Sequence, residues 1–222
     1  MGYERYKSRS GGKMVEYCVE ENMKMSNIEI SLQLCYRQQI QLKSILVPKE
    51  KGLYFWWFKN LPSILPLEDC FEYQGYYLLY AGISPDHLNK PNSKANLNSR
   101  IRTHLFGNAE GSTLRRTLGI LLQEQSGYPL RRVGSGKRMT FTHLGEQWLD
   151  NWLNENAKVS WIVCDEPWLL EKEILRHKPL PLNLKDNDHP FKSILSVLRK
   201  LAIQNARELD IAVEKNLHRT KG

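Results

Sequence analysis

The chain has 222 residues, 41% of them hydrophobic and 25% charged, a composition that excludes wholesale disorder and suits one globular domain with decorations. Its formal charge of +8 favours a polyanionic partner, because each phosphate neutralised by lysine or arginine releases counterions. No apolar run reaches the roughly 18 residues of a membrane span, the opening MGYERYKSRSGGKMVEYC lacks a signal core, and Cys18, Cys35, Cys70 and Cys164 have neither metal-site nor disulfide-framework spacing, so a reduced, cytoplasmic protein is expected.

Residues 1–48 are polar and read as an N-terminal accessory segment whose final IEISLQLCYRQQIQLKSIL permits a helix. Residues 49–190 read as the core unit and 191–222 as a C-terminal helix covering it. GLYFWWF at 52–58 and YYLLYAGI at 76–83 have the make-up of buried strands, and PSILPLEDCFEYQG between them reads as a long excursion rather than a tight turn. A polar loop then enters the helix LNSRIRTHLF at 97–106, GNAEGS breaks it, and Ser112 is placed to cap a second helix with Leu114, Leu118, Leu121 and Leu122 on one face. The basic stretch 127–138 reads as a flexible loop, about 143–156 as an inserted helix and KVSWIVC at 158–164 as a third strand. Pro167 opens the helix WLLEKEILRH, PLPLNLKDNDHPF makes an ordered loop, and Ile194, Leu195, Leu198, Leu201 and Ile203 predict a last helix from Ser193 to about Leu217. The expected class is α+β, a small three-stranded antiparallel sheet flanked by helices, with helical extensions at both ends.

Several polar residues fall where apolar ones belong. On the helix after Pro167, Trp168, Leu170, Ile174 and Leu175 form one arc with Glu171 in its middle, so a carboxylate aims at the core and needs a metal ion, a cation or water to meet it. Arg100 and His104 lie one turn apart beside the buried face of Leu97, Ile101 and Leu105, an arrangement able to contact a phosphate with a fork of donors and a titratable proton. Each of the first two strands carries a tyrosine near a glycine, Gly52-Leu53-Tyr54 and Tyr80-Ala81-Gly82, and strand glycines permit close approach of a ligand or backbone. Arg115, Arg116, Arg131, Arg132, Lys137 and Arg138 supply a central basic region for a nucleic-acid backbone, and Trp56 and Trp57 are candidates to stack on a base.

GLY, YAG, L-x-x-R-I-x-x-H and E-x-x-I-L with an asparagine twelve residues after the glutamate, in this order, resemble the catalytic domain of GIY-YIG nucleases over roughly residues 50–190. The second motif is YAG rather than YIG, and the intervals between motifs are expanded, which surface loops tolerate at small entropic cost. The resemblance implies a DNA endonuclease using one divalent cation, Mg2+ or Mn2+, with Tyr54, Tyr80, Arg100, His104, Glu171 and Asn183 as catalytic residues and Glu171 as metal ligand. It further implies that Tyr54, or else His104, serves as base, that Tyr80 positions water or phosphate, and that Asn183 fixes its loop or the phosphate. DNA is the implied partner, with no membrane and no small-molecule cofactor. A structure-specific repair nuclease and a non-catalytic nucleic-acid-binding module on the same scaffold are the alternatives, and nothing in the sequence sets the oligomeric state.

Overall fold

The computed structural model describes residues 33–43, 45–85 and 93–213, together with the backbone of four short strands, β1 (Lys7–Ser10), β2 (Lys13–Glu16), β3 (Asn22–Met25) and β4 (Ile28–Ser31), which pair as two antiparallel hairpins. The main sheet begins with the two-residue β5 (Cys35–Tyr36), which leads directly into helix α1 (Arg37–Leu42). The helix permitted at the end of the first 45 residues is therefore short, and the segment before it donates an edge strand. Ile40 and Val47 are buried in the main core.

The three strands expected from composition form the middle of the sheet: β6 (Gly52–Phe58), β8 (Tyr76–Ser84) and β11 (Ala157–Val163). With β5 and β7 (Glu72–Tyr73) at its ends, the order is β5-β11-β6-β8-β7, so the sheet has five strands rather than three, every pairing antiparallel. The two added strands have only two residues each, below the length at which alternation can be read from a sequence. Between β6 and β8 the chain does make a long excursion, but Gln74 and Gly75, at φ 52° and 73°, close β7 onto β8 through a tight turn of the kind that needs two left-handed residues. β6 is buried along its whole length because both faces are covered. Tyr54, Trp56 and Phe58 join the larger core, while Leu53, Phe55 and Trp57 join the smaller one with Ile174 and Leu175. Trp56 and Trp57 are thus core residues with no face left for a base.

The larger core is covered by α2 (Leu97–Phe106), α3 (Thr113–Leu121), α5 (Thr142–Asn156) and α7 (Phe191–Glu208), with the four-residue α4 (Gln123–Ser126) following α3 without burying a side chain, whereas α6 (Pro167–His177) packs on the other face. The basic stretch expected to be a loop is a hairpin of β9 (Arg131–Val133) and β10 (Arg138–Thr140), turned by Gly134 and Gly136 at positive φ. α7 stops at Glu208 instead of running to about Leu217. Its end is tied down by Arg132, which donates to the carbonyls of Ala206 and Leu209, and by Arg131, which donates to that of Asp210. Its buried stripe is Phe191, Leu195, Ala202 and Ala206, which leaves Ile194 and Leu201, expected on the covering face, half exposed. No helix of the described residues is long and apolar enough to cross a membrane.

Candidate active site

A cavity of about 210 Å³ opens where the outer edge of β8 meets α2, α3 and α6, lined by Tyr54, Tyr80, Gly82, Arg100, Thr113, Glu171, Asn183 and Lys185 among others. Sheet register sets the phenols. Tyr54 pairs across from Gly82 and Tyr80 across from Trp56, so the two tyrosines are diagonal neighbours on one face, with ring centroids 6.4 Å apart. The Tyr54 ring lies across Gly82, where a Cβ would sit 2.5 Å from the phenol oxygen. That close approach is the reason for the glycine of the second motif. A Cβ on Gly52 would likewise collide with the carbonyl oxygen of Ile162 on β11 and with Leu97 at the start of α2.

α2 delivers the nitrogen groups. Asn96 caps it by accepting from the Ser99 amide at 2.9 Å, and Leu97, Ile101 and Leu105 bury one face. Arg100 is left half-buried at the pocket, donating through Nε to the Tyr54 oxygen at 3.3 Å. His104, fully buried one turn later, has Nε2 2.8 Å from the Tyr54 oxygen and Nδ1 2.7 Å from Ser112 Oγ. Ser112 is the N-cap of α3, accepting from the Arg115 amide, so the start of that helix also holds the imidazole.

Burial, followed by the repulsion of Arg100 and Arg115, holds His104 well below the usual histidine range, so the ring is neutral at pH 7. Desolvation raises Tyr54 well above the ordinary phenol value, and Arg100 offsets only part of that rise. Tyr80 is raised for the same leading reason, with Arg100 again pulling the other way. Glu171, half-buried on α6, is pushed up to about 7 by desolvation, against which nearby Lys185 acts and to which Asp186 adds.

Asn183 is bound on both ends of its amide. Its Oδ1 accepts from the Ala81 amide at 2.9 Å and its Nδ2 donates to the Ala81 carbonyl at 2.8 Å, standing in for a neighbouring strand on the edge of β8 between Tyr80 and Gly82. Of the two duties the resemblance allows it, fixing the loop is the one this geometry supports. Asn183→Ala leaves the buried Ala81 N–H and C=O without partners and is expected to cost about 3 kcal/mol, measurable by urea unfolding. A loss under about 1 kcal/mol would contradict the strand-substitute role.

The basic residues separate. Arg115, expected to project outward, is fully buried. Its guanidinium contacts Glu146 Oε2 at 2.7 Å and Asp150 Oδ1 at 2.9 Å, and it donates to the carbonyls of His104, Leu105 and Glu146. Arg37 closes the same cluster, 3.4 Å from Asp150 Oδ2. Arg131 and Arg132 hold the end of α7, and Arg116 donates to Ala109 O and pairs with Glu110 at 3.3 Å. Lys137 and Arg138 are exposed at the hairpin. Thr113 and Lys185 line the pocket without having been singled out in the sequence. Their positions, directly after the Ser112 cap and two residues beyond Asn183, are the only linear signs of it.

No curated protein and no solved structure matches the chain. Residues 52–201 match the family model of the GIY-YIG catalytic domain, a span that contains both tyrosine motifs, α2, α6 and most of α7. The match covers more than half of the sequence and begins at Gly52, at the head of the strand that carries Tyr54, and on it the chain belongs to the GIY-YIG nuclease superfamily.

Proposed function

We propose that the protein is an endonuclease that hydrolyses phosphodiester bonds of DNA with the help of one divalent cation. The observation that carries this reading is the sharing of one cavity by two phenols, a guanidinium and a carboxylate that burial holds near neutrality, within a nuclease-family domain. Glu171 is raised to about 7 even though Lys185 stands nearby, so its ionised form gains from any further cation brought to it. A single carboxylate beside room for water fits a hard cation that keeps much of its hydration, such as magnesium or manganese. When bound, that cation supplies charge neutralisation at the phosphoryl group and the leaving oxygen.

The side chains do the rest. Arg100 stabilises the charge that builds on the phosphoryl oxygens. Tyr54, its oxygen already receiving the Arg100 N–H, takes the proton of the attacking water while passing its own to His104 Nε2. The neutral imidazole is placed to share that proton, and because burial and the two arginines disfavour its charged form, the incoming phosphate's negative charge must offset the cost of the transfer. Tyr80, half-buried at the rim, orients the water or the phosphate. Exposed Lys137 and Arg138 are the proposed backbone contacts among the basic residues of the hairpin.

The test is incubation with supercoiled plasmid and magnesium or manganese, which is expected to give nicked or linear product, and no product when the cation is chelated. Absence of turnover over a wide range of cation concentration, with DNA binding intact, would sink the catalytic reading. The pH profile gives a sharper check. Because Glu171 must be ionised to hold the cation, single-turnover cleavage at low magnesium should rise with pH through about 7, and the midpoint should move down as magnesium is raised, since the cation favours the carboxylate. A midpoint that ignores magnesium would assign the profile to another group.

A further inference from the structure

Helix α7 carries a charge that no sequence motif marks, bound to α3, the helix whose Thr113 lines the cavity. Arg199 Nη1 donates to Thr117 Oγ1 at 2.8 Å, and Thr117 is buried on α3 one turn after Thr113, which lines the cavity. The guanidinium is half-buried, and none of the ion pairs among the described residues includes it. Its neighbours make the position costlier still. Arg116, already paired with Glu110, lies close enough to repel it, and the Tyr80 phenol close enough to be felt. A partly desolvated cation beside a second cation, without a carboxylate, is unfavourable unless an anion arrives from outside. The rigid hold of Thr117 removes the entropy cost of aiming the fork when it does.

We propose that Arg199 binds a backbone phosphate of the DNA adjacent to the one held between Tyr54 and Glu171, fixing the strand's path out of the cavity over α3 and α7. The inference rests on the nuclease reading for the identity of the anion only. Two phosphates gripped at once determine the direction of a strand, which one phosphate cannot do.

The experiment measures binding of the full chain to a fluorescein-labelled duplex of about 30 base pairs by anisotropy, with the cation chelated and potassium chloride varied. Arg199→Gln should weaken binding several-fold and lower the slope of log affinity against log salt by about one, while Arg199→Lys, which keeps the charge, should retain the slope. An unchanged slope in a folded Arg199→Gln protein overturns the proposal. If the glutamine variant does not fold, the wild-type protein decides through phenylglyoxal labelling read by mass spectrometry. Suppression of Arg199 labelling by the duplex supports the subsite, and equal labelling with and without DNA overturns it. Failure of the nuclease reading looks different: the slopes then differ as expected but no cation yields cleavage.

Discussion

Glu171→Gln is expected to lower cation-dependent cleavage by at least about 10³-fold while making the protein more resistant to heat at pH 8. The two effects have one origin. A carboxylate whose folded pKa stands near 7, above its ordinary value, favours the folded state most when protonated. That contribution is complete below the ordinary carboxylate pKa and is lost as pH rises through about 7, so at pH 8 the wild-type fold carries an ionised, half-buried acid. Glutamine has the same shape without the charge, and should gain up to about 2 kcal/mol, or roughly 5 °C, at pH 8 and almost nothing at pH 4. Saturating magnesium should stabilise the wild type and leave the variant unaffected, because only the wild type gains a binding free energy. A variant that cleaves within tenfold of the wild type, or melts lower at pH 8, contradicts the role given to this acid.

Arg115→Ala should be the most damaging single change to the fold. It leaves Glu146 and Asp150, both nearly inaccessible to solvent, facing each other around the space of the lost guanidinium, and it strips a donor from the carbonyls of His104, Leu105 and Glu146. Breaking a buried ionic cluster from one side costs about 3–5 kcal/mol, a large share of a typical domain's stability, so the unfolding temperature should fall by roughly 10–15 °C and soluble yield with it. Arg115→Lys should rescue little, since an ammonium cannot reach both carboxylates and three carbonyls at once. Replacing the cluster as a set, with Arg37→Met, Arg115→Met, Glu146→Gln and Asp150→Leu, should recover much of the loss, because the penalty lies in the uncompensated charges and Arg37 would otherwise be left without Asp150. A melting temperature within about 3 °C of wild type for the alanine variant would mean the cluster is looser than its geometry implies.

These two residues show what a sequence discloses. Glu171 interrupts an apolar arc in a helix whose start is marked by Pro167, so its discomfort is visible in linear order. Arg115 interrupts an equally apolar stretch, yet doubled arginines at 115 and 116 suggest a basic surface. The corrective clue, Glu146 and Asp150 four residues apart among the buried Leu149 and Leu153, lies some thirty residues away. Strands β6, β8 and β11 were legible because seven or more residues of aromatic and β-branched composition announce themselves, and α2 because Leu97, Ile101 and Leu105 recur at helical spacing until GNAEGS breaks it. Strands β5 and β7 were not, since two residues have no period, and the β9–β10 hairpin hid in a stretch whose glycines suit a loop equally well. The pocket was legible through the order of Tyr54, Tyr80, Arg100 and Glu171. Thr113, Lys185 and the second duty of Ser112 depend on which elements end up side by side, and no spacing encodes that.

One oxygen in this molecule belongs to two structures at once. Ser112 Oγ both seals the first turn of α3 and steadies the buried imidazole, so an unwinding of that turn would set the ring loose. Arg115, in the same turn, is anchored to Glu146 and Asp150, so the helix start and the ring beside it are held by the same buried cluster that holds the fold.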